Sequence, residues 1–361
     1  MGKRGDSVIG IDLGQRVFKG VTLRRKGDSR LVLTSFASRE VPETIGSSEE
    51  LTKELKLLFR DLGNGAKTCA VAVSGPDTLL RIIEQPETPI DLLRNALRLN
   101  GLAVLNQECK ELVLDVAPVQ ASASENIGSD QSGADERSTS VAVQNEVVTK
   151  TKYLVGGVLR QTVKQIAEAM TKTRATLEIL QLAPVCSLNA FEFAYPEIFH
   201  HEAFLLLDLG HSQSTVLIGN KGELVLVRGI DYGGKALSYA LTAEGALEKD
   251  AAWAMIQQGD ENMMEICRGS LSRLATEVRN SIGFFEGQRE ESINRVFVSG
   301  GLARMEAILQ MLSDELGLAC EIWDPLETCE VALPAAKRQA LPDQFVSLNV
   351  ACGAALEYLR D

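Results

Sequence analysis

The phrase Ile11-Asp12-Leu13-Gly14 returns 196 positions later as Leu207-Asp208-Leu209-Gly210. Each copy ends an apolar run, passes through a short polar turn and runs back into a second apolar or β-branched run. A further glycine follows each acid, Gly27 fifteen positions after Asp12 and Gly222 fourteen after Asp208. A strand-turn-strand unit used twice in this way indicates a duplicated domain. The length agrees, because 361 residues exceed what one hydrophobic core usually holds.

Strand and helix signals alternate around the two hairpins. Residues 8–13, 17–23 and 31–35 read as strands, and 49–62 as a helix with Leu51, Leu55, Leu58 and Leu62 on one face. A strand at 68–75 ends in glycine. Signals are mixed over 82–114, with a proline turn, a helix near 91–100 and a strand at 110–116. Helices are expected at 161–173, 186–193, 234–257, 262–288 and 305–316, with strands at 151–159, 177–181 and 295–301. Such alternation gives the α/β class. The segment 119–144 has no aromatic residue and no leucine but many Ser, Gly, Asp and Gln. It cannot bury enough surface to offset its ordering entropy and is expected to be a disordered insertion within a domain. The organisation expected is a first lobe over 1–180, with the first hairpin and an inserted subdomain of which 119–144 is a loop, and a second lobe over 181–361 with the second hairpin and the Ser299-Gly300-Gly301 turn.

Composition excludes several functions. The net charge of −12 argues against nucleic acid or an anionic membrane surface as a direct partner. No stretch reaches the roughly 18 apolar residues a membrane span needs, and no signal peptide opens the chain, so a cytosolic protein is expected. The seven cysteines have no CxxC spacing and read as small buried apolar residues. His200 and His201, read as strand neighbours, would point to opposite sides and could not share a metal.

The turns have the chemistry of phosphate binding. Glycine lets the backbone approach a phosphate, and successive N–H groups in a turn make an anion-binding concavity. An aspartate beside phosphate is suited to holding Mg²⁺ through water, which assigns Asp12 and Asp208 as metal residues. Two such hairpins facing each other would clamp a nucleotide's phosphates from both sides. Ser299-Gly300-Gly301, at a strand-to-helix turn, suits the nucleoside end.

On these motifs the chain resembles the actin-like ATPase superfamily, a duplicated two-lobe fold of the ribonuclease H type with a nucleotide cleft. The phosphate-1, phosphate-2 and adenosine motifs correspond to residues 12–19, 208–215 and 298–303. The resemblance implies ATP with Mg²⁺ as ligand. It carries over Asp12, Gly14, Asp208, Gly210, Gly300 and Gly301, together with Lys19, His211, Ser212, Thr215 and Gly234. Glu277 and Arg279 correspond to the helix bordering the base. Gln15 and Arg16 stand where relatives have small hydroxyl residues, and the acid many relatives carry near 182–186 is missing. Hydrolysis is therefore expected to be slow or absent, and no catalytic residue is assigned.

Within the superfamily the chain is similar to the PilM family of type IV pilus assembly proteins, through "APVCSLNAFEF", "LVRGIDYGGKALSYAL", "LATEVRNSIGFFEGQ" and "INRVFVSGGLARMEAILQMLSDELGLACEIWDPL". That likeness implies a cytoplasmic scaffold, peripheral to the inner membrane, that grips the N-terminal cytoplasmic peptide of a PilN-like bitopic membrane protein in a groove at the inserted subdomain, on the part of the chain from about Gly75 to Leu180. It further implies signalling to the assembly motor ATPases. The alternatives are an FtsA-like division or filament protein and a metabolic kinase on the same fold. The first is disfavoured by a chain that closes on "FVSLNVACGAALEYLRD" without an amphipathic tail, the second by the lack of a nominated base.

Overall fold

The computed structural model describes residues 5–27, 30–63, 67–119, 150–243, 248, 251, 254–255, 258 and 260–360. The expected insertion, beyond Val119, lies outside the described residues, as does most of 244–257.

Two sheets repeat one topology. The first contains β1 (Ser7–Leu13), β2 (Val17–Lys26), β3 (Arg30–Glu40), β4 (Thr68–Val73), β8 (Thr176–Leu182) and β14 (Glu330–Val331). Its order is β14-β3-β2-β1-β4-β8. The second contains β9 (Ala203–Leu209), β10 (Ser214–Asn220), β11 (Glu223–Ile230), β12 (Arg295–Gly300) and β13 (Ala319–Ile322), in the order β11-β10-β9-β12-β13. In each, the strand carrying the Asp-Leu-Gly phrase is central, antiparallel to the next strand and parallel to the one on its other side. A third sheet, β5 (Thr78–Pro86), β7 (Lys150–Leu159) and β6 (Leu112–Pro118), is covered by helix α2 (Ile90–Leu105) and forms the inserted subdomain.

Helices fill both faces of the main sheets. Helix α1 (Ser48–Leu62) starts where the Ser47 side chain accepts from the Glu50 N–H, and it stops at Gly63, whose φ of 70° only glycine adopts readily. Its leucines 51, 55, 58 and 62 pack with α3 (Arg160–Thr173) on the outer face of the first sheet. Helices α6 (Gly234–Ala243), α7 (Glu261–Glu286) and α8 (Glu306–Leu316) cover the outer face of the second.

Between the sheets lie α4 (Ala183–Ala194) and the C-terminal α10 (Asn349–Leu359), the latter unassigned in the sequence. Their fit leaves no room for side chains at two glycines. A Cβ on Gly10 would sit 2.0 Å from the Ala351 carbonyl oxygen, and one on Gly353 would sit 1.7 Å from that of Cys186. The lobe division expected at residue 180 falls between β8 and α4, yet the C-terminal segment returns to the first sheet. There β14 pairs with β3, and α10 packs on β1. On α9 (Ala335–Ala340), Lys337 Nζ donates to Ser35 Oγ at 2.7 Å and to the Asp61 carbonyl at 2.9 Å, fastening that return.

One local reading needs correction. His200 and His201 close a short helix, α5 (Pro196–His201), instead of lying on a strand, because Pro196 opens a turn that the apolar Ile198 and Phe199 pack down.

Burial pushes the pKa of every cysteine thiol up, Cys69 and Cys329 to about 12 and Cys267 to about 11. The reactive species is the thiolate, and a thiol with a pKa near 12 is only about one part in ten thousand ionised at pH 8. Native protein at pH 8 should therefore take up almost no iodoacetamide over minutes, while all seven cysteines react in urea. Rapid native labelling of Cys69 or Cys329, read by mass spectrometry, would contradict this packing.

Candidate functional site

The duplicated topology brings the two aspartates to equivalent places. Asp12 pairs across the first hairpin with Lys19, and Asp208 across the second with Thr215, an offset of seven residues in both. On its parallel side Asp12 is level with Ala72, and Asp208 with Ser299. Each acid thus stands at the end of a central strand, where the chain turns away and a cleft opens.

The two carboxylates are stabilised by different means. Asp12 is 4% exposed, and its Oδ2 accepts from Lys19 Nζ at 2.9 Å. Burial raises the Asp12 pKa, Lys19 opposes the rise, and Asp208 adds to it through like-charge repulsion. Burial works against the Lys19 ammonium, but the attraction of Asp12 and Asp208 outweighs it and holds that pKa above the ordinary lysine value. Lys19 therefore stays charged in the field of both acids.

Asp208 makes no ion pair among the described residues. Its Oδ1 accepts from Ser299 Oγ at 2.8 Å and from Asn349 Nδ2 at 3.1 Å. The same Nδ2 lies 3.0 Å from Ser187 Oγ and 3.1 Å from Ser299 Oγ. All three partners are buried, Asn349 being 1% exposed. This network joins α4, α10, β9 and β12 under the floor of the cleft. Sequence reasoning missed Asn349 and Ser187; the one available signal was an asparagine opening an otherwise apolar helix.

The turns are tight for a physical reason. A Cβ on Gly14 would meet the Val17 carbonyl oxygen at 2.6 Å, and one on Gly210 that of Gln213 at 2.3 Å. Gly300 has a φ of 98°, and a Cβ there would lie 2.4 Å from the Leu209 carbonyl oxygen. The start of α6 is fastened to the second turn, with Gly234 N–H donating to the Gly210 carbonyl at 3.0 Å and Lys235 N–H to that of His211 at 2.7 Å.

A cavity of about 580 Å³ lies between the hairpins. Asp12, Gly14, Gln15, Arg16 and Lys19 line it from the first lobe. Asp208, Gly210, His211, Thr215 and Gly234 line it from the second, and Gly300 and Gly301 close one side. Ser212 lines an adjoining cavity of about 460 Å³ instead. Arg16 is held at the wall, donating to the Val41 carbonyl and to Glu40, both at 3.1 Å. Glu277 and Arg279 do not line either cavity. Glu277 accepts from Arg228, and Arg279 donates to the Glu315 carbonyl. Among the lining residues sequence reasoning did not single out are Ser187, Ser74 and Arg304.

The Asn349 network gives a direct test. Asn349→Leu keeps the volume but leaves the buried hydroxyls and the Asp208 carboxylate short of a donor, which costs about 1–3 kcal/mol. Urea unfolding should show that loss at unchanged m-value. A change below about 0.5 kcal/mol, the range of ordinary surface substitutions, would mean the network carries no strain-bearing load.

Comparison with known proteins agrees with this architecture. The family model described as "Type IV pilus assembly protein PilM" matches residues 10–359. Among solved structures, a chain of a PilM-PilN type IV pilus biogenesis complex superposes with a TM-score of 0.80 at 22% identity, covering 99% of each chain. The ethanolamine utilization protein EutJ from Carboxydothermus hydrogenoformans superposes with a TM-score of 0.54 at 13% identity, covering 97% of this chain and 89% of its own. A search of the curated proteins found no match. The match over residues 10–359, on a duplicated actin-like ATPase fold, shows that the chain belongs to the PilM family of type IV pilus assembly proteins.

Proposed function

We propose that the chain is an ATP-binding scaffold of type IV pilus assembly that holds Mg-ATP between its two main sheets. We propose further that it docks, beside that site, the N-terminal cytoplasmic peptide of a PilN-like membrane protein. The observation that carries the nucleotide reading is the meeting of two Asp-Leu-Gly hairpins, in identical register, across one cavity of nucleotide size.

The residues fit the ligand. Gly14, Gly210 and Gly301 present backbone without side chains to the cleft, and a Cβ on Gly301 would meet nothing within 4 Å. Gly234 at the start of α6 adds a helix N-terminus to the lining, a favourable place for an anion. Asp12 and Asp208 are the hard oxygen donors Mg²⁺ prefers and would hold it through water. Bound there, the ion would supply charge neutralisation for the phosphates. Lys19 supplies a point charge for phosphate, and Leu302 and Met305 supply apolar lining for the nucleoside. Ala183 and Pro184 face the cleft at the start of α4, and neither can orient a water, so hydrolysis is slow or absent.

With Mg-ATP at a hundredfold excess over its dissociation constant, apparent stability should rise by about 2.7 kcal/mol. Asp208→Ala should remove the part of the rise that EDTA also removes. No thermal shift and no calorimetric heat at millimolar Mg-ATP would sink the nucleotide reading. Phosphate release faster than about one per second, the low end of ordinary enzyme rates, would make the protein a true ATPase.

The second cavity is proposed as the peptide groove. Phe18, Ile45, Leu51, Val73 and Ile166 give it an apolar floor, with Asp77, Thr162 and Gln165 among its polar groups. An extended peptide there would take affinity from backbone hydrogen bonds and specificity from alternate side chains. No helix among the described residues is long and apolar enough to cross a membrane, so a partner's own span would provide the tether. Ile45→Lys should weaken the N-terminal peptide of the neighbouring PilN-like protein at least tenfold in fluorescence anisotropy, with Mg-ATP binding retained. Undiminished affinity in that variant would place the groove elsewhere, and no binding by the parent chain would remove the peptide reading itself.

A further inference from the structure

Large exposed apolar side chains are concentrated on one helix. Leu92, Leu99 and Leu102 of α2 are 63%, 84% and 59% exposed. The helix is buried on its other side, where Leu93, Leu97 and Leu105 pack on the third sheet and Gly101 lies against Cys109. Scattered exposed leucines are ordinary, but a contiguous row of them marks an interaction site. On a helix of 3.6 residues per turn, Leu92, Ala96 and Leu99 fall in one row, opposite the buried one. Their four-three spacing, with large and small residues alternating, is that of a helix-pairing seam. The bend at Asn100 sets Leu102 apart, so Leu92, Ala96 and Leu99 form its straight part.

We propose that the outer face of α2 docks one amphipathic helix of another pilus-assembly protein, with an apolar row spaced like its own and an acidic flank. Two observations select that occupant. Up to the bend at Asn100 the face is one convex helix, about 15 Å long and 10 Å wide, so it offers on the order of 150 Å². That is well below the roughly 800 Å² per partner of a stable dimer between two rigid globules. A lone helix can lie along its whole length, as amphipathic helices do on apolar faces. Charge selects the flank. Arg98, one turn before Leu102, is exposed and makes no ion pair among the described residues, and the helix carries two arginines against one aspartate in a chain of net charge −12. No residue of α2 lines either cavity, so this site is separate from the nucleotide and peptide sites.

The test places a photo-reactive phenylalanine analogue at Leu99 of the full chain in cells that assemble pili, with the same probe at Tyr239, which is 76% exposed on α6, as control. The expected result is an adduct at 99 but not at 239, mapped by mass spectrometry to a partner segment with three-four apolar spacing and acidic flanks. A synthetic peptide of that segment should become helical on binding the purified chain. Leu99→Asp should weaken it more than tenfold with an unchanged thermal melt, and Arg98→Glu should weaken it further. An adduct only to a second copy or within the same chain, equal labelling at Tyr239, an extended partner segment, or no adduct at all would overturn the proposal.

Discussion

Two carboxylates at the ends of facing strands, Asp12 buried and Asp208 half-buried, share one cleft, and much of the fold serves to support them there. Burial first, and the Asp208 charge in addition, push the Asp12 pKa up. The first half of the duplication answers with a cation, Lys19, directly across the hairpin from Asp12. The second has Thr215 at that position and answers with neutral donors, Ser299 and Asn349. The asymmetry has a structural consequence. Lys19 is local, seven residues from its partner, whereas Asn349 is delivered by the last helix. Asp208 is therefore fully supported only when α10 is wedged between the sheets. The near-contact of Gly353 with the Cys186 carbonyl and of Gly10 with that of Ala351 sets how closely the wedge seats.

How much of this could be read from the residues depended on the range of the interaction. The hairpins, the glycine turns and the pairing of the acids across the cleft follow from local pattern and its repetition. Lys19 enters through the resemblance, and its pairing with Asp12 seven residues away comes from the structure. Asn349 was not legible, because its partners lie 50, 141 and 162 positions away in the chain. Helix α10 escaped notice because it is buried on nearly every side, and a helix apolar all round has no 3.6-residue contrast to detect. Mixed signals around residues 82–114 have the converse cause: α2 has apolar rows on both faces, and neither stands out. Glu277 and Arg279, assigned by resemblance, instead pair with Arg228 and the Glu315 carbonyl outside the cleft lining.

The two cavities are not independent. Gly14, Gln15, Ser74, Pro76, Thr78 and His211 line both. The wall between them contains Gly75, whose φ of 113° belongs to glycine and whose Cβ position would lie 2.8 Å from Gln15 Nε2. A ligand that moves the first phosphate turn by even a few tenths of an ångström must displace Gln15 or the turn it touches. Coupling between the sites then needs no long pathway, since one packed contact belongs to both.

The inserted subdomain is tied into the same arrangement from behind. Glu223 on β11 is fully buried and accepts from Lys152 on β7 at 2.7 Å and from Arg289 at 3.1 Å. Two cations on one buried carboxylate offset a desolvation cost that neither alone would meet, and removing one would leave an uncompensated charge. The third sheet is thus joined to the second lobe by a contact that is costly to open. It is joined to the first lobe at two chain crossings, at Gly75 between β4 and β5 and at Leu159 between β7 and α3. A change in the spacing of the two lobes that leaves both Glu223 ion pairs intact has to be taken up in part at these crossings. The crossing at Gly75 is flanked by Ser74 and Pro76, which line both cavities, so a displacement there would be felt by a nucleotide and by a partner peptide alike.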